Sequence, residues 1–425
     1  MEKKKVAVYT LGCKVNAYES SVMAELFKAS GYDVVDYEEF ADVYIVNTCT
    51  VTNMSDRKSR QILRRAKELN PNAILCAVGC YAQVASADLA KLEEIDIILG
   101  TNDKRQIVKI VEEFMQNHER RIIVNDVLQE RKYIEWGQTA ITSKARAEIK
   151  IQDGCDRYCT YCIIPYARGP VRSRKMEDIH DEIVALSRTD IKEVVITGIH
   201  ISSYGKDLEN KPTLIDLLEY IHQIPGIERI RLGSLEPLII TEDFVCRLKK
   251  LSKVCNHFHL SLQSGCNETL KRMNRRYTTD EFRKIVSLLK NHIPEVALTT
   301  DVIVGFPGET NEEFEITYEF LKEINFSKMH VFKYSPRKGT KAAGFPNQVD
   351  GKIKDERSSR LIELSMKNEE AFASQYLGKE IEVLFENEHD GHTTNYIEVY
   401  SKEEQKPNEI VRCVARNWDG EKIIV

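Results

Sequence analysis

Three cysteines, Cys155, Cys159 and Cys162, close directly on the apolar, strand-like stretch Glu148-Ile149-Lys150-Ile151, within the run Asp153-Gly154-Cys155-Asp156-Arg157-Tyr158-Cys159-Thr160-Tyr161-Cys162. The C-x3-C-x2-C spacing puts three thiolates on one tight loop at a strand end, where they can bind three corners of a cubane iron–sulfur cluster. Such clusters ordinarily take four Cys ligands. A set of three leaves one iron open to a small molecule. A partial zinc site competes with this reading, but structural zinc takes four N or S ligands, usually with C-x2-C pairs, and no His lies in or beside the loop. A disulfide framework belongs to short secreted chains. This chain has 425 residues and eleven Cys, and its start, Met1-Glu2-Lys3-Lys4-Lys5, is followed only by the short apolar stretch Val6-Ala7-Val8, which is no secretory signal. A reducing cytoplasm, with metal ligation or thiol chemistry, is the expectation.

Length predicts two or three domains. Hydrophobic content of 42% and charged content of 30% are those of an ordinary globular protein, and no apolar run approaches the twenty residues of a membrane span. Net charge is −5, so contact with nucleic acid requires local patches.

Residues 1–135 predict an open parallel α/β sheet domain. Strands are expected at Lys5 to Thr10, Val43 to Asn47, Ala73 to Val78 and Ile95 to Leu99, with helices at Glu19 to Ser30 and Asp56 to Leu69. Ligands of such sheets gather at the carboxyl ends of the strands. The first three strands run into Leu11-Gly12-Cys13-Lys14-Val15-Asn16, Asn47-Thr48-Cys49-Thr50 and Gly79-Cys80-Tyr81, so Cys13, Cys49 and Cys80 are expected at one sheet edge as a second three-thiolate site. Three structural cysteines are the plainer alternative, since free Cys packs as a small hydrophobe. Cys76, inside its strand, reads as core.

Tyr133 to Ala147 reads as a linker. Residues 141–365 then repeat strand and helix six times, with strands at Glu148 to Gln152, Glu193 to Thr197, Arg229 to Gly233, His257 to Gln263, Leu298 to Val304 and Met329 to Tyr334, and helices such as Met176 to Ser187 and Asp280 to Lys290. Six units fit a partial (β/α)6 barrel, whose chemistry lies at the C-terminal strand ends. Residues 366–425 hold the end of a helix (Lys367 to Tyr376) and short strands at Lys379 to Phe385, Thr394 to Tyr400, Glu409 to Ala415 and Lys422 to Val425. These predict a small β-barrel of the oligonucleotide-binding, TRAM-like sort; a sheet that merely caps the barrel fits equally.

On these motifs the chain resembles the radical S-adenosylmethionine (SAM) methylthiotransferases along essentially its whole length. Further matching motifs are Thr197-Gly198 with Tyr204-Gly205, the run His259-Leu260-Ser261-Leu262-Gln263-Ser264-Gly265, the run Asp301 to Thr310, and Tyr334-Ser335-Pro336-Arg337-Lys338-Gly339-Thr340. Lys14-Val15-Asn16 after Leu11-Gly12-Cys13 resembles the branch acting on threonylcarbamoyladenosine in tRNA; the isopentenyladenosine branch usually has Gln-Met in place of Lys14-Val15.

The resemblance implies two [4Fe-4S] clusters and S-adenosylmethionine as cofactors. One cluster, on Cys155, Cys159 and Cys162, would bind S-adenosylmethionine through its open iron, and reduction would release a deoxyadenosyl radical. The other, on Cys13, Cys49 and Cys80, would carry the sulfur that is methylated and delivered to carbon two of the adenine. Tyr161 would lie near the cofactor adenine and Thr197 and Gly198 near its amino group. Ser234, Gln263 and Gly305 would line the same pocket, unless they serve only strand-end turns. Implied partners are the tRNA anticodon stem-loop, whose base must be splayed out, and an electron donor such as flavodoxin or ferredoxin, in the cytoplasm and without a membrane.

Three basic groups are candidates for phosphate contact. Residues 141 to 175 hold eight cations (Lys144, Arg146, Lys150, Arg157, Arg168, Arg172, Arg174 and Lys175) against three acids. The second group is Arg57, Lys58, Arg60, Arg64, Arg65 and Lys67; the third is Lys271, Arg272, Arg275 and Arg276. Each is also readable as a solvated face. Methylthiolation of a ribosomal protein side chain is a second reading of the chain, and a non-catalytic, metal-stabilised RNA-binding protein a third.

Overall fold

Cysteines can meet at strand ends only if their strands run the same way and lie side by side, and the first part of the chain builds such a sheet. The computed structural model describes residues 3–136 and 145–425. Met1, Glu2 and residues 137–144, which include Lys144 and the centre of the expected linker, lie outside the described residues. The chain divides into two compact units: Met1–Thr142 with Gln152–Arg174 and Ser335–Thr340, and Ser143–Ile151 with Lys175–Tyr334 and Lys341–Val425. The three-cysteine loop therefore groups with the N-terminal sheet.

In the first unit, β1 (Lys5–Thr10), β2 (Asp33–Val35), β3 (Val43–Thr48), β4 (Ile74–Gly79), β5 (Ile97–Leu99) and β6 (Arg121–Ile123) form one sheet in the order β2-β1-β3-β4-β5-β6. All five pairings are parallel. β3 and β4 are buried at every residue, as a parallel sheet covered on both faces requires. Val43 and Ile45 join one core with Val22, Phe27, Ile110 and Phe114 from helices Lys14–Ala29 and Ile107–Asn117. Tyr44 and Val46, facing the other way, join a second core with Leu63 and Ala66 from helix Asn53–Leu69. Cys76 belongs to the first core and is fully buried.

Two details differ from the sequence expectation. β2 and β6 are added at the edges; three residues each is too short for a periodic signal. The first helix begins at Lys14 and not at Glu19, because the extended backbone of Cys13 starts it without a side-chain cap that would mark the position. Asn16 and Glu19 thereby become interior residues.

β7 (Arg146–Asp153) ends by pairing Gln152 and Asp153 antiparallel with β8 (Arg172–Ser173). In the second unit, β9 (Glu193–Gly198) and β10 (Arg229–Leu232) continue the sheet in the order β10-β9-β7, and β11 (His257–His259), β12 (Ala297–Val304) and β13 (Lys328–Lys333) form a parallel set. Backbone bonds from Leu235 N to His259 O (2.8 Å) and from Ser261 N to Leu235 O (3.0 Å) join the two sets. This is the expected six-stranded partial barrel. Ile149, Val194, Ile196, Ile230, Phe258, Leu298 and Val302 face the surrounding helices in one large core. The alternate positions are polar and buried, among them Lys150, Glu193, Arg229, Arg231, His257 and Thr299. β11 is shorter than expected because the chain turns out of it before Gln263, whose φ is 71°.

After helix Gly351–Ser374 come β14 (Glu380–Phe385), β15 (Asp390–Thr393), β16 (Glu398–Tyr400), β17 (Ile410–Val414), β18 (Asn417–Trp418) and β19 (Ile423–Ile424), in the order β17-β14-β15-β16-β19-β18. All neighbours are antiparallel except β16 with β19, giving a half-barrel sheet. The strand expected from Thr394 to Tyr400 is broken by Tyr396, at φ 68°.

Candidate active site

Cys13 stands three residues beyond β1, Cys49 directly follows β3 and Cys80 directly follows β4. These are adjacent strands, so the sheet order brings the three cysteine loops together. Gly12 has φ +101°, and a Cβ there would lie 2.8 Å from both Cβ and Sγ of Cys49, so only glycine lets the first loop press against the second. Gly79, at φ +100°, passes Asn47 in the same way: a Cβ would lie 2.6 Å from its Oδ1. Side chains lace the loops further. Asn16 Nδ2 donates to Leu11 O (2.7 Å) and Thr48 O (3.1 Å), and Thr48 Oγ1 donates to Val78 O (2.7 Å).

Cys49 and Cys80 are buried, whereas Cys13 is accessible but deeply recessed among protein atoms. Desolvation raises the Cys13 thiol, opposed by Arg168 and reinforced by Cys80. Burial, then the neighbouring Cys80, pushes Cys49 up to about 11. Cys49 thus senses both Cys80 and Cys13, and Cys13 senses Cys80. Ligation of a metal would require them to be deprotonated. Among the described residues, no three His, Cys, Asp or Glu side chains are close enough to chelate a single ion. A cubane asks for wider spacing, because each cysteine binds its own iron. Three thiols at adjacent strand ends are the donor chemistry that such a cluster takes.

The second trio is held by a tight turn. Gly154, at φ +73°, lies so near Pro170 that a Cβ would sit 1.8 Å from its carbonyl oxygen. Cys155 N donates to Gly169 O (3.0 Å) and Cys162 N to Cys159 O (2.9 Å). All three cysteines are half-buried, and burial pushes the Cys155 thiol up to about 11. Tyr158, exposed at φ 47°, and Tyr166 meet edge to face at 5.9 Å. Tyr161 is half-buried on the same loop. Helix Ile164–Arg168 follows at once, and its last residue, Arg168, donates to Cys80 Sγ at 3.2 Å. Both trios and this arginine belong to the first unit.

Thr197, Gly198, Ser234, Gln263 and Gly305 lie on the C-terminal rim of β9 to β12 in the second unit. Backbone bonds run along that rim, from Gly233 N to Ile196 O (2.8 Å) and from Gln263 N to Asp301 O (2.9 Å). Thr197 and Gln263 are buried, Gly198 is half-buried and Ser234 is exposed. Gln263 holds a left-handed backbone that few residues other than glycine adopt, a form of strain that concentrates at functional sites.

The first basic group is not a surface patch. Lys150, Arg168, Arg172 and Arg174 are buried, and Arg146 is half-buried beside Glu386 at 2.9 Å. Interior cations need paired carboxylates: Arg174 has Glu135 and Arg168 has Glu19. In the third group, Arg272 is tied to Glu313 and Arg275 to Glu236. In the second, Arg65 pairs with Glu38 and Lys67 with Asp96, while Arg57 and Lys58 remain exposed. Sequence reasoning missed Glu19, Lys104 and Asp153 as site residues. Asn16 and Arg337 stand out in the sequence only as parts of motifs. Arg337 donates to Thr50 Oγ1, Asn53 Oδ1 and Asp56 Oδ2, each at 2.6 Å, bracing the segment behind Cys49.

A partial (β/α)6 barrel whose first strand leads into a C-x3-C-x2-C loop defines a radical SAM enzyme, and residues 149–321 match the Radical SAM superfamily. Residues 5–100 match a family described as Uncharacterized protein family UPF0004. The threonylcarbamoyladenosine tRNA methylthiotransferase MtaB of Bacillus subtilis (strain 168) is 43% identical over 406 residues, covering 93% of this chain and 90% of the relative. Its namesake from Aquifex aeolicus (strain VF5) is 40% identical, covering 96% and 100%. A tRNA-2-methylthio-N(6)-dimethylallyladenosine synthase of Thermoanaerobacter sp. (strain X514) is 38% identical, covering 89% and 81%. Among solved structures, the radical S-adenosylmethionine methyltransferase TsrM of Kitasatospora setae shares the fold at 15% identity, with a TM-score of 0.57 over 78% of this chain and 73% of TsrM. The chain belongs to the radical SAM methylthiotransferase family and is most like its MtaB-type members. Enzymes of the radical SAM class use a [4Fe-4S] cluster and S-adenosylmethionine. Among the described residues no helix is long and apolar enough to cross a membrane.

Proposed function

We propose that this enzyme adds a methylthio group to carbon two of threonylcarbamoyladenosine beside the tRNA anticodon. The observation that carries the reading is the meeting of Cys13, Cys49 and Cys80 at three adjacent strand ends, linked by Arg168 to the loop of Cys155, Cys159 and Cys162. The family membership and the names of the MtaB relatives support the substrate. Two [4Fe-4S] clusters, one per trio, and S-adenosylmethionine are the proposed cofactors; bound there, they supply the electron transfer, the radical and the sulfur. The chain's own residues hold the clusters, shield them and orient the cofactor. Thr197, Gly198, Ser234, Gln263 and Gly305 on the barrel rim, with Tyr161, are the proposed S-adenosylmethionine contacts. The work divides over residues 1–135 for the sulfur-donating cluster, 141–365 for the radical step and 366–425 for RNA contact. A cytoplasmic location and an electron donor of the flavodoxin or ferredoxin type complete the reading.

The test is the methylthio-nucleoside content of tRNA from a deletion strain complemented with variants. Cys159→Ala should abolish reductive cleavage of S-adenosylmethionine. Cys49→Ala should retain cleavage but yield no 2-methylthio-threonylcarbamoyladenosine. Product formed by Cys49→Ala would refute the sulfur-donor role of the first trio. Loss of the isopentenyl-type nucleoside in the deletion strain would move the enzyme to the other tRNA branch.

A further inference from the structure

Arg168 is fully buried, and each of its five N–H groups has a partner. Nε donates to Cys80 Sγ at 3.2 Å. One terminal nitrogen donates to Glu19 Oε1 (2.5 Å) and Asp153 Oδ2 (3.3 Å), the other to Asn16 Oδ1 (2.6 Å) and Glu19 Oε2 (3.0 Å). A guanidinium keeps its proton under all ordinary conditions, so this charge is permanent. Glu19 is itself fully buried and also receives a hydrogen bond from buried Lys104, which reaches Asn47 Oδ1 at 3.3 Å. An ion pair placed only for stability has no need of a sulfur at the end of its fork.

We propose that Arg168 is a positioning residue for the Cys13–Cys49–Cys80 cluster that sets its reduction potential and ties its geometry to the Cys155–Cys162 loop. The inference rests on the reading that these three cysteines ligate a cluster. Hydrogen bonds and positive charge at a ligand sulfur stabilise the reduced, more negative cluster and raise its potential. The Nε bond supplies both to Cys80. Asn16, held by Arg168, passes the constraint to the other two ligands. Its amide nitrogen grips Leu11 O and Thr48 O, two residues before Cys13 and one before Cys49. On its other side Arg168 adjoins Gly169, whose carbonyl oxygen accepts the Cys155 N–H. One side chain therefore touches or braces all three loops of the first trio from a backbone anchored to the second.

The experiment uses the full chain with Cys155→Ala/Cys159→Ala/Cys162→Ala, which leaves a single cluster. Iron content and an EPR-monitored redox titration are compared for Arg168 intact, for Arg168→Lys, and for Arg168→Gln, which leaves Glu19 paired with Lys104 and Asp153 with Arg172. The expected result is about four irons in each, a potential shifted negative in Arg168→Gln, and a smaller negative shift with altered g values in Arg168→Lys, which keeps the charge but not the fixed Nε donor. Should Arg168→Gln fail to fold, Arg168→Lys alone decides. Unchanged potential and spectrum in a variant that keeps its iron overturn the inference. Absence of iron in the Arg168-intact parent overturns the cluster reading itself and the inference with it.

Discussion

Each unit is built around a buried arginine clamped by a buried glutamate, and the two differ in what else the arginine reaches. In the second unit Arg231 donates to Glu193 at 2.6 and 3.0 Å, as Arg168 does to Glu19 in the first. The remaining Arg231 donors go to the carbonyl oxygens of Thr393 and Thr394 in the tail sheet, at 3.1 and 3.0 Å. The Arg231 guanidinium also lies 4.6 Å from the centre of the Tyr396 ring, which stacks on His257 and His392. Arg229 adds a bond to His392 O (3.0 Å). Arg231 fastens the half-barrel sheet onto the floor of the barrel; the buried Cys255 thiol feels its charge but hydrogen-bonds Glu193 Oε2, at 4.0 Å. Arg168 ends on a thiol. The same guanidinium serves as a rivet in one place and hydrogen-bonds the Cys80 sulfur in the other, so burial and charge do not tell the two roles apart; the last partner does.

Breaking the rivet should have the largest effect on stability and none on metal. Arg231→Met leaves Glu193 charged and buried, and removing one partner of such a pair destabilises by about 3–5 kcal/mol. Urea unfolding should show that loss, with iron content unchanged. A fall in iron would erase the distinction between the two arginines.

A smaller effect sharpens the comparison through pH. Burial pushes both Glu193 and Glu386 up, but Arg231 overcomes this for Glu193, and His392 with Arg146 does so for Glu386, so both end below their ordinary value of 4.5. Carboxylates lowered by folding contribute stability that is complete above that value and is lost as pH falls through the lowered one. Unfolding of the tail sheet should therefore be steep in acid below about pH 4.5. Arg146→Ala, at a half-buried pair, should cost about 1 kcal/mol at neutral pH and flatten the acid dependence; an unaltered profile would remove Arg146 from the clamp.

The mildest change lies at the surface. Arg57→Ala or Lys58→Ala should each weaken tRNA binding and reduce the slope of log affinity against log salt by about one. An unchanged slope would place the RNA elsewhere.

Much of this architecture was legible in the sequence because it repeats. Six barrel strands and the strand-ending cysteines follow from periodicity and turn residues, and all six strands are present. The arginines were not. A run of cations between residues 141 and 175 looks the same whether it faces water or a carboxylate from a distant segment, and Glu19 lies 149 positions from Arg168. Nor does spacing reveal that β2 pairs on the outer side of β1, which leaves β1, β3 and β4 adjacent and lets Cys13, Cys49 and Cys80 meet. Interior charge is a property of partners, and partners are set by topology.

The most direct measurement counts iron and sulfide in anaerobically reconstituted protein. The intact chain should hold about eight irons, and both the Cys13→Ala/Cys49→Ala/Cys80→Ala and the Cys155→Ala/Cys159→Ala/Cys162→Ala proteins about four. About four irons in the intact chain, unchanged when Cys13, Cys49 and Cys80 are replaced, would contradict the account.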